Sequence, residues 1–187
     1  MATDTVARVT VGQRYPILPI PWSPEQTELV PAGVLTIGVG YRVLDEATTK
    51  QYLDDVGYRR VDGAGGERTY AGRDAGVCLH VLGPARDGEG DELVEYLRLD
   101  CFDDEPHYHY VYNEEGAQDR VFLDPTLDGD PMEWALERVR TRMPEVLRKV
   151  GAPRLAGRVD PAAIEAALPH VRSAVDRAFA HATQHTR

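Results

Sequence analysis

Two histidines separated by one residue, His107 and His109, are the side chains of this sequence best suited to chemistry. Side chains two residues apart on a strand point to the same face, so two imidazoles can share one metal ion. Asp100 precedes them across a short acidic turn. A carboxylate opposite an imidazole can fix its tautomer and increase its basicity. The pattern therefore predicts a polar site on one face of a β-hairpin.

The register of that hairpin decides which side chains meet. If residues 103–106 form a four-residue loop, Asp100 lies opposite His109. Because side chains alternate between the two faces of a sheet, Arg98 and Asp100 share a face with both histidines. We expect the other face to be core, formed by Leu97, Leu99, Cys101, Tyr108, Tyr110 and Tyr112.

Cys78 and His80 show the same spacing on another candidate strand. With the two hairpin histidines they could form a four-ligand metal site, and Asp100 would then support a ligand from outside the coordination sphere. The alternative is that the histidines are ordinary exposed or hydrogen-bonded residues of the sheet. We therefore expect no cofactor, with a bound transition metal as the alternative.

The run His107-x-His109 followed by Glu114 resembles the first metal motif of the cupin family. The resemblance covers those residues alone. Cys101 stands in place of the family's glycine, and the family's second motif has no match because the remaining histidines lie in the helical tail. The cupin fold also needs more strands after this point, so we do not extend it to this chain.

Short strands separated by turns are the elements that must position the site. A helix capped by Asp45 and ended by Gly57 interrupts them. A glycine-rich hairpin turn is expected at 63–66. The alternation pattern predicts a mostly antiparallel sheet with strands at 5–11, 33–43, 58–61, 75–82, 93–102, 107–113 and 120–123.

Two apolar stripes with helical spacing dominate the last sixty residues. Asp130 and Asp160, each followed by proline, mark the two helix starts. Pro144 and Pro169 would kink or split these helices. We expect the stripes to form an oligomerisation seam, built from Leu136, Val139, Met143, Ile164, Leu168, Val171 and Val175. The predicted class is α+β, with an acidic sheet domain at 1–127 and a two-helix module at 128–187.

Four prolines, at positions 16, 19, 21 and 24, predict an extended N-terminal arm. The arm either lies across its own domain or docks on a partner protein. Its contact residues would be Tyr15, Ile17, Leu18, Ile20 and Trp22.

Composition narrows the functional classes. The 187 residues carry a formal net charge of -10, which argues against nucleic acid or an anionic membrane as the partner. No segment is long and apolar enough to cross a bilayer, and the two cysteines give no disulfide framework. We expect a soluble cytoplasmic protein.

The function expected from these patterns is non-catalytic. The chain would be an accessory or scaffold subunit that forms homo-oligomers through its C-terminal helices and binds a larger client, conceivably an oxidoreductase complex. The second hypothesis is a metal-dependent enzyme or metal-binding protein that uses the histidine face. A third is a small-ligand binding domain whose helices cover the sheet.

Overall fold

The computed structural model describes residues 11–57 and 74–185. The strand expected at 58–61 and the turn at 63–66 lie outside the described residues, as does all but the last residue of the strand expected at 5–11.

Within the described residues, seven antiparallel strands form one sheet, in the order β1-β7-β6-β5-β4-β3-β2. This sheet and the helices packed on it confirm the predicted α+β class. The strands are β1 Gln13–Tyr15, β2 Thr27–Ala32, β3 Leu35–Leu44, β4 Asp74–Pro84, β5 Leu93–Phe102, β6 His107–Tyr112 and β7 Ala117–Phe122.

Strand β2, which contains Pro31, was not among the predicted strands. Proline cannot donate a hydrogen bond, so it is tolerated only where a strand has a free edge. Of the strands that the structure describes, β2 pairs only with β3, and it forms one edge of their sheet.

Two long helices dominate the C-terminal part. Asp130 caps the first by accepting a hydrogen bond from the Glu133 amide at 2.8 Å. Pro144 and Pro169 lie inside continuous helices, so the expectation that they split them was wrong. The helices are α1 Glu46–Asp55, α2 Ala85–Gly88, α3 Pro125–Asp128, α4 Pro131–Lys149, α5 Pro153–Ala156 and α6 Pro161–His185. Among the described residues, no helix is long and apolar enough to span a membrane.

The apolar stripes of α4 and α6 face the sheet of their own chain. Residues of the two helices join strand residues in a single hydrophobic core that continues across the expected boundary at residue 127. Since these side chains are already covered, they are not available as a seam between copies. The proposed oligomerisation residues are buried core, with Leu168 partly buried against it: Leu136, Val139, Met143, Ile164, Val171 and Val175.

The other face of the sheet is covered by the N-terminal arm and α1. The arm, residues 16–26, connects β1 at one edge to β2 at the opposite edge, and so crosses a sheet about 29 Å wide. The Tyr52 hydroxyl of α1 donates a hydrogen bond to the Leu18 carbonyl at 2.6 Å. The Trp22 ring lies 6.4 Å from that of His80. The arm therefore packs on its own sheet, which was the first of its two expected roles.

Candidate metal centre

Strands β5 and β6 pair with Asp100 opposite His107 and Arg98 opposite His109. The expected register, with Asp100 opposite His109, was therefore wrong by two residues. The connection between the last paired residues is six residues long, 101–106, because Phe102 continues its pairing with β4. A shift of two preserves the face of every side chain, so the predicted polar face is correct.

The connection is held in place by Asp74 at the start of β4. Its carboxylate accepts hydrogen bonds from the backbone amides of Asp104 at 3.1 Å and Glu105 at 3.0 Å. The Glu105 carbonyl lies 2.7 Å from Nδ1 of His107. Because a carbonyl only accepts, Nδ1 carries the proton and Nε2 of His107 presents its lone pair.

Both imidazoles direct Nε2 at one carboxylate oxygen. Oδ2 of Asp100 lies 3.4 Å from Nε2 of His107 and 3.1 Å from Nε2 of His109. Ligands bound to one metal at about 2.1 Å lie about 3.0 Å apart in octahedral and about 3.4 Å apart in tetrahedral geometry. The three residues offer ligand atoms within 4.8 Å of one another, and all three are buried. The observed spacing therefore suits one shared ion.

Two polar atoms of this group lack a protein partner. Oδ1 of Asp100 and Nδ1 of His109 are buried and make no hydrogen bond to any described residue. Buried polar atoms in native proteins are nearly always satisfied, by protein, water or an ion. Asp100, His107 and His109, called the triad below, thus retain hydrogen-bonding or metal-binding capacity that the described part of the protein does not use.

The electrostatics favour a charged carboxylate between neutral imidazoles. Burial lowers the pKa of His107 to about 3, against the opposing charge of Asp100. Burial also lowers the pKa of His109. Burial opposes ionisation of Asp100, but the hydrogen bond from His109 and the positive charge of Arg98 favour the carboxylate and hold its pKa well below its usual range. Neutral imidazole and ionised carboxylate are the forms that bind metals.

His80 belongs to a separate buried network. Its Nδ1 lies 2.6 Å from Oε1 of Glu95, whose Oε2 accepts a hydrogen bond from Arg98 at 2.6 Å. Arg98 stands on β5 between His80 and His109, opposite both. The guanidinium therefore separates His80 from the triad. The expectation that His80 shares a four-ligand site with the two hairpin histidines was wrong.

Cys78 lies on β4 opposite Asp100 and is fully buried. Burial, together with the charge of Asp100, raises the pKa of its thiol well above the usual range. A thiol must lose its proton to bind a metal, so this environment disfavours Cys78 as a ligand. Asp100, which was expected to support a ligand from outside the coordination sphere, instead offers a ligand atom beside both hairpin histidines.

A cavity of about 500 Å³ opens between the triad, the arm and α1. Apolar arm and helix side chains form one wall, and sheet cations form much of the other. Sequence analysis named Ile17 and Ile20 as contact residues of the arm but did not identify the cavity, because its walls come from distant segments that no local motif joins. The wall residues used below are Ile17, Ile20, Leu53, Arg42, Lys50, Arg98 and Arg120.

Comparisons with known proteins give a family for this chain but no activity. No curated protein and no solved structure matches the chain. A family described as a domain of unknown function, DUF7700, matches residues 29–175. The match extends from β2 into α6 and includes the whole Asp100, His107 and His109 triad. Because it covers well over half of the sequence, the chain belongs to the DUF7700 family.

Proposed function

We propose that this protein binds one divalent transition metal through Asp100, His107 and His109, and that the metal serves catalysis in the adjoining cavity. The observation that carries the proposal is the convergence of two Nε2 atoms on Oδ2 of Asp100, at 3.4 Å and 3.1 Å. His107 is already oriented for this role, since the Glu105 carbonyl holds the proton on its Nδ1.

A catalytic metal fits the arrangement better than a structural one. Structural zinc sites are closed by four protein ligands, whereas catalytic sites use three and leave a position open. The triad supplies three ligands, and all three line the cavity. Two histidines and a carboxylate suit zinc or iron(II), and such an ion polarises a bound oxygen group or activates water.

The scaffold hypothesis receives no comparable support. It depended on apolar stripes that lie buried in the core of the same chain. The oligomeric state and any larger client remain predictions from sequence, and the metal hypothesis replaces them as the function that the geometry supports best.

The test is metal content and affinity. Protein purified without chelator would be analysed for zinc, iron, manganese and copper, then stripped and titrated with zinc or cobalt(II). We expect one ion per chain. His107→Ala and His109→Ala should each abolish stoichiometric binding, and His170→Ala on the exposed face of α6 should not.

Cobalt(II) gives a second readout, because its visible spectrum reports the coordination geometry. A chain that binds no metal when folded, or that binds it equally well in both histidine variants, would contradict the proposal. Circular dichroism of each variant would show that lost binding is not lost folding.

A further inference from the structure

The cavity beside the triad has two chemically different walls. Ile17 and Ile20 of the arm and Leu53 of α1 offer apolar contacts. The sheet contributes guanidinium groups from three strands, carried by Arg42, Arg98 and Arg120. A cavity that is apolar on one side and cationic on the other suits a small organic anion with a hydrocarbon body.

The charge balance indicates how much negative charge the ligand would carry. Four cations line the cavity, Arg42, Lys50, Arg98 and Arg120, and four carboxylates balance them: Glu46, Asp54 and Asp100 in the lining and Glu95 behind Arg98. A divalent metal on the triad would therefore add two uncompensated positive charges. Buried charge is costly unless it is paired, so a ligand with two negative charges fits best.

Arg42 is a cation available to bind the far end of such a ligand, whereas Arg120 donates a hydrogen bond to the Tyr15 hydroxyl at 2.8 Å. Arg98 is committed to Glu95 through two hydrogen bonds, of 2.6 Å and 3.0 Å. At the exposed rim of the cavity, Nζ of Lys50 lies 3.3 Å from Oδ2 of Asp54. Arg42 is half-buried and forms no ion pair with any residue of 11–57 or 74–182. A guanidinium in this position matches a carboxylate with two parallel hydrogen bonds.

The spacing sets the size of the ligand. Arg42 lies on β3, two strands away from Asp100 on β5. Two strand spacings and an offset of two residues along β3 place the two Cα atoms about 12 Å apart, and the arginine side chain shortens the remaining gap to about four to six carbon atoms.

We propose that the substrate of this site is a small dicarboxylic acid. One carboxylate would bind at the metal face of Asp100, His107 and His109, and the other would pair with Arg42. The hydrocarbon chain between them would lie on Ile17, Ile20 and Leu53. This inference rests on the proposed metal function.

The experiment uses isothermal titration calorimetry on the zinc-loaded full chain with adipate, hexanoate and hexanoamide, which share one chain length. We expect adipate to bind at least ten-fold more tightly than hexanoate, and hexanoamide not to bind. Arg42→Gln should remove the preference for adipate. Arg142→Gln, which removes the same charge from the exposed face of α4 outside the cavity, should change adipate affinity less than two-fold.

Zinc content is measured in every variant, so the two proposals fail separately. If all variants hold one zinc but adipate binds no better than hexanoate, the dicarboxylate inference is overturned and the metal proposal stands. The dicarboxylate inference is also overturned if Arg42→Gln and Arg142→Gln have the same effect on adipate affinity. If the wild-type chain takes up no zinc, the metal proposal fails, and adipate binding that depends on Arg42 would then support the anion site alone.

Discussion

Asp100 and His107 face each other across β5 and β6, with Oδ2 of the carboxylate 3.4 Å from Nε2 of the imidazole. The contact places a negative oxygen against a nitrogen lone pair, because the Nδ1 proton of His107 is engaged by the Glu105 carbonyl. Two acceptors at this distance repel each other unless a proton or a cation lies between them. A metal ion would turn this repulsion into two bonds.

Metal binding should therefore stabilise the folded chain. At free zinc one hundred-fold above the dissociation constant, we expect a gain of about 2.7 kcal/mol, since zinc would bind the native state and not the unfolded one. For a chain of this length that corresponds to a rise in Tm of roughly 5–10 °C. Calorimetry with and without zinc measures the rise. Asp100→Asn should show none, whereas an unchanged rise in that variant would place the ion elsewhere.

Asp74 should influence metal affinity without touching the metal. Its carboxylate holds the amides of Asp104 and Glu105, and Glu105 in turn orients His107. Asp74→Ala should weaken zinc binding about 10- to 100-fold, as loss of supporting hydrogen bonds does at other metal sites.

The matched control for that variant is Asp103→Ala. Asp103 is exposed in the same connection, and its hydrogen bond to the Ala75 carbonyl uses only the backbone amide. Competition with a zinc-chelating dye measures the zinc affinity of Asp74→Ala and of Asp103→Ala. Equal affinities for the two variants would show that the connection does not position His107.

Because of Glu95, the free energy of unfolding should decrease as the pH falls into the acid range. Burial opposes its ionisation, but Arg98 and His80 overcome this and lower its pKa to about 2 from the usual 4.5. As pH falls, the unfolded chain takes up the proton first, so the stabilisation is present above pH 4.5 and is lost between pH 4.5 and about 2. The contribution is of order 3 kcal/mol.

Glu95→Gln removes this contribution and leaves Arg98 buried without its partner. We expect a loss of roughly 3–5 kcal/mol at pH 7, which narrows as the pH falls toward 2. Urea unfolding across this range measures the difference. A deficit that stays constant with pH would show that the carboxylate charge of Glu95 does not contribute.

Ile164 distinguishes an intramolecular core from a seam between copies. It is 2% exposed in α6 and packs into the core that contains the strands. Ile164→Ala should cost about 2–5 kcal/mol of unfolding free energy, independent of protein concentration. The exposed neighbour Glu165→Ala should cost little. A change in oligomer size with little loss of stability would instead restore the seam hypothesis.

The faces of the hairpin were predictable because strand side chains alternate with a period of two. Asp100, His107 and His109 therefore reached the same face even though their register was wrong by two residues. The register itself depended on Phe102, which keeps its pairing with Gly76 and so lengthens the connection. That contact links distant segments and leaves no local signal.

The choice among the four expected ligands was not predictable either. His80 and His109 have similar local sequence patterns, but the side chain of Arg98 lies between them once β4, β5 and β6 are aligned. Strand order and the bulge at Val81 and Leu82 determine that placement. The composition of the cavity walls could not be predicted from the sequence for the same reason, since Ile17, Leu53 and Arg42 come together only in the folded chain.

The arm that runs from β1 to β2 also affects how molecules exchange with the cavity. Its residues 16–26 are anchored by an edge strand at each end, and the bond between Tyr52 and Leu18 ties it to α1 midway. Such a strap cannot swing on one hinge. Lifting it would require unpairing β1 from β7 or stretching the segment between its anchors. A molecule seated beneath it would therefore enter and leave through the open side of the cavity, at the rim formed by Lys50 and Asp54, and not by displacement of the arm.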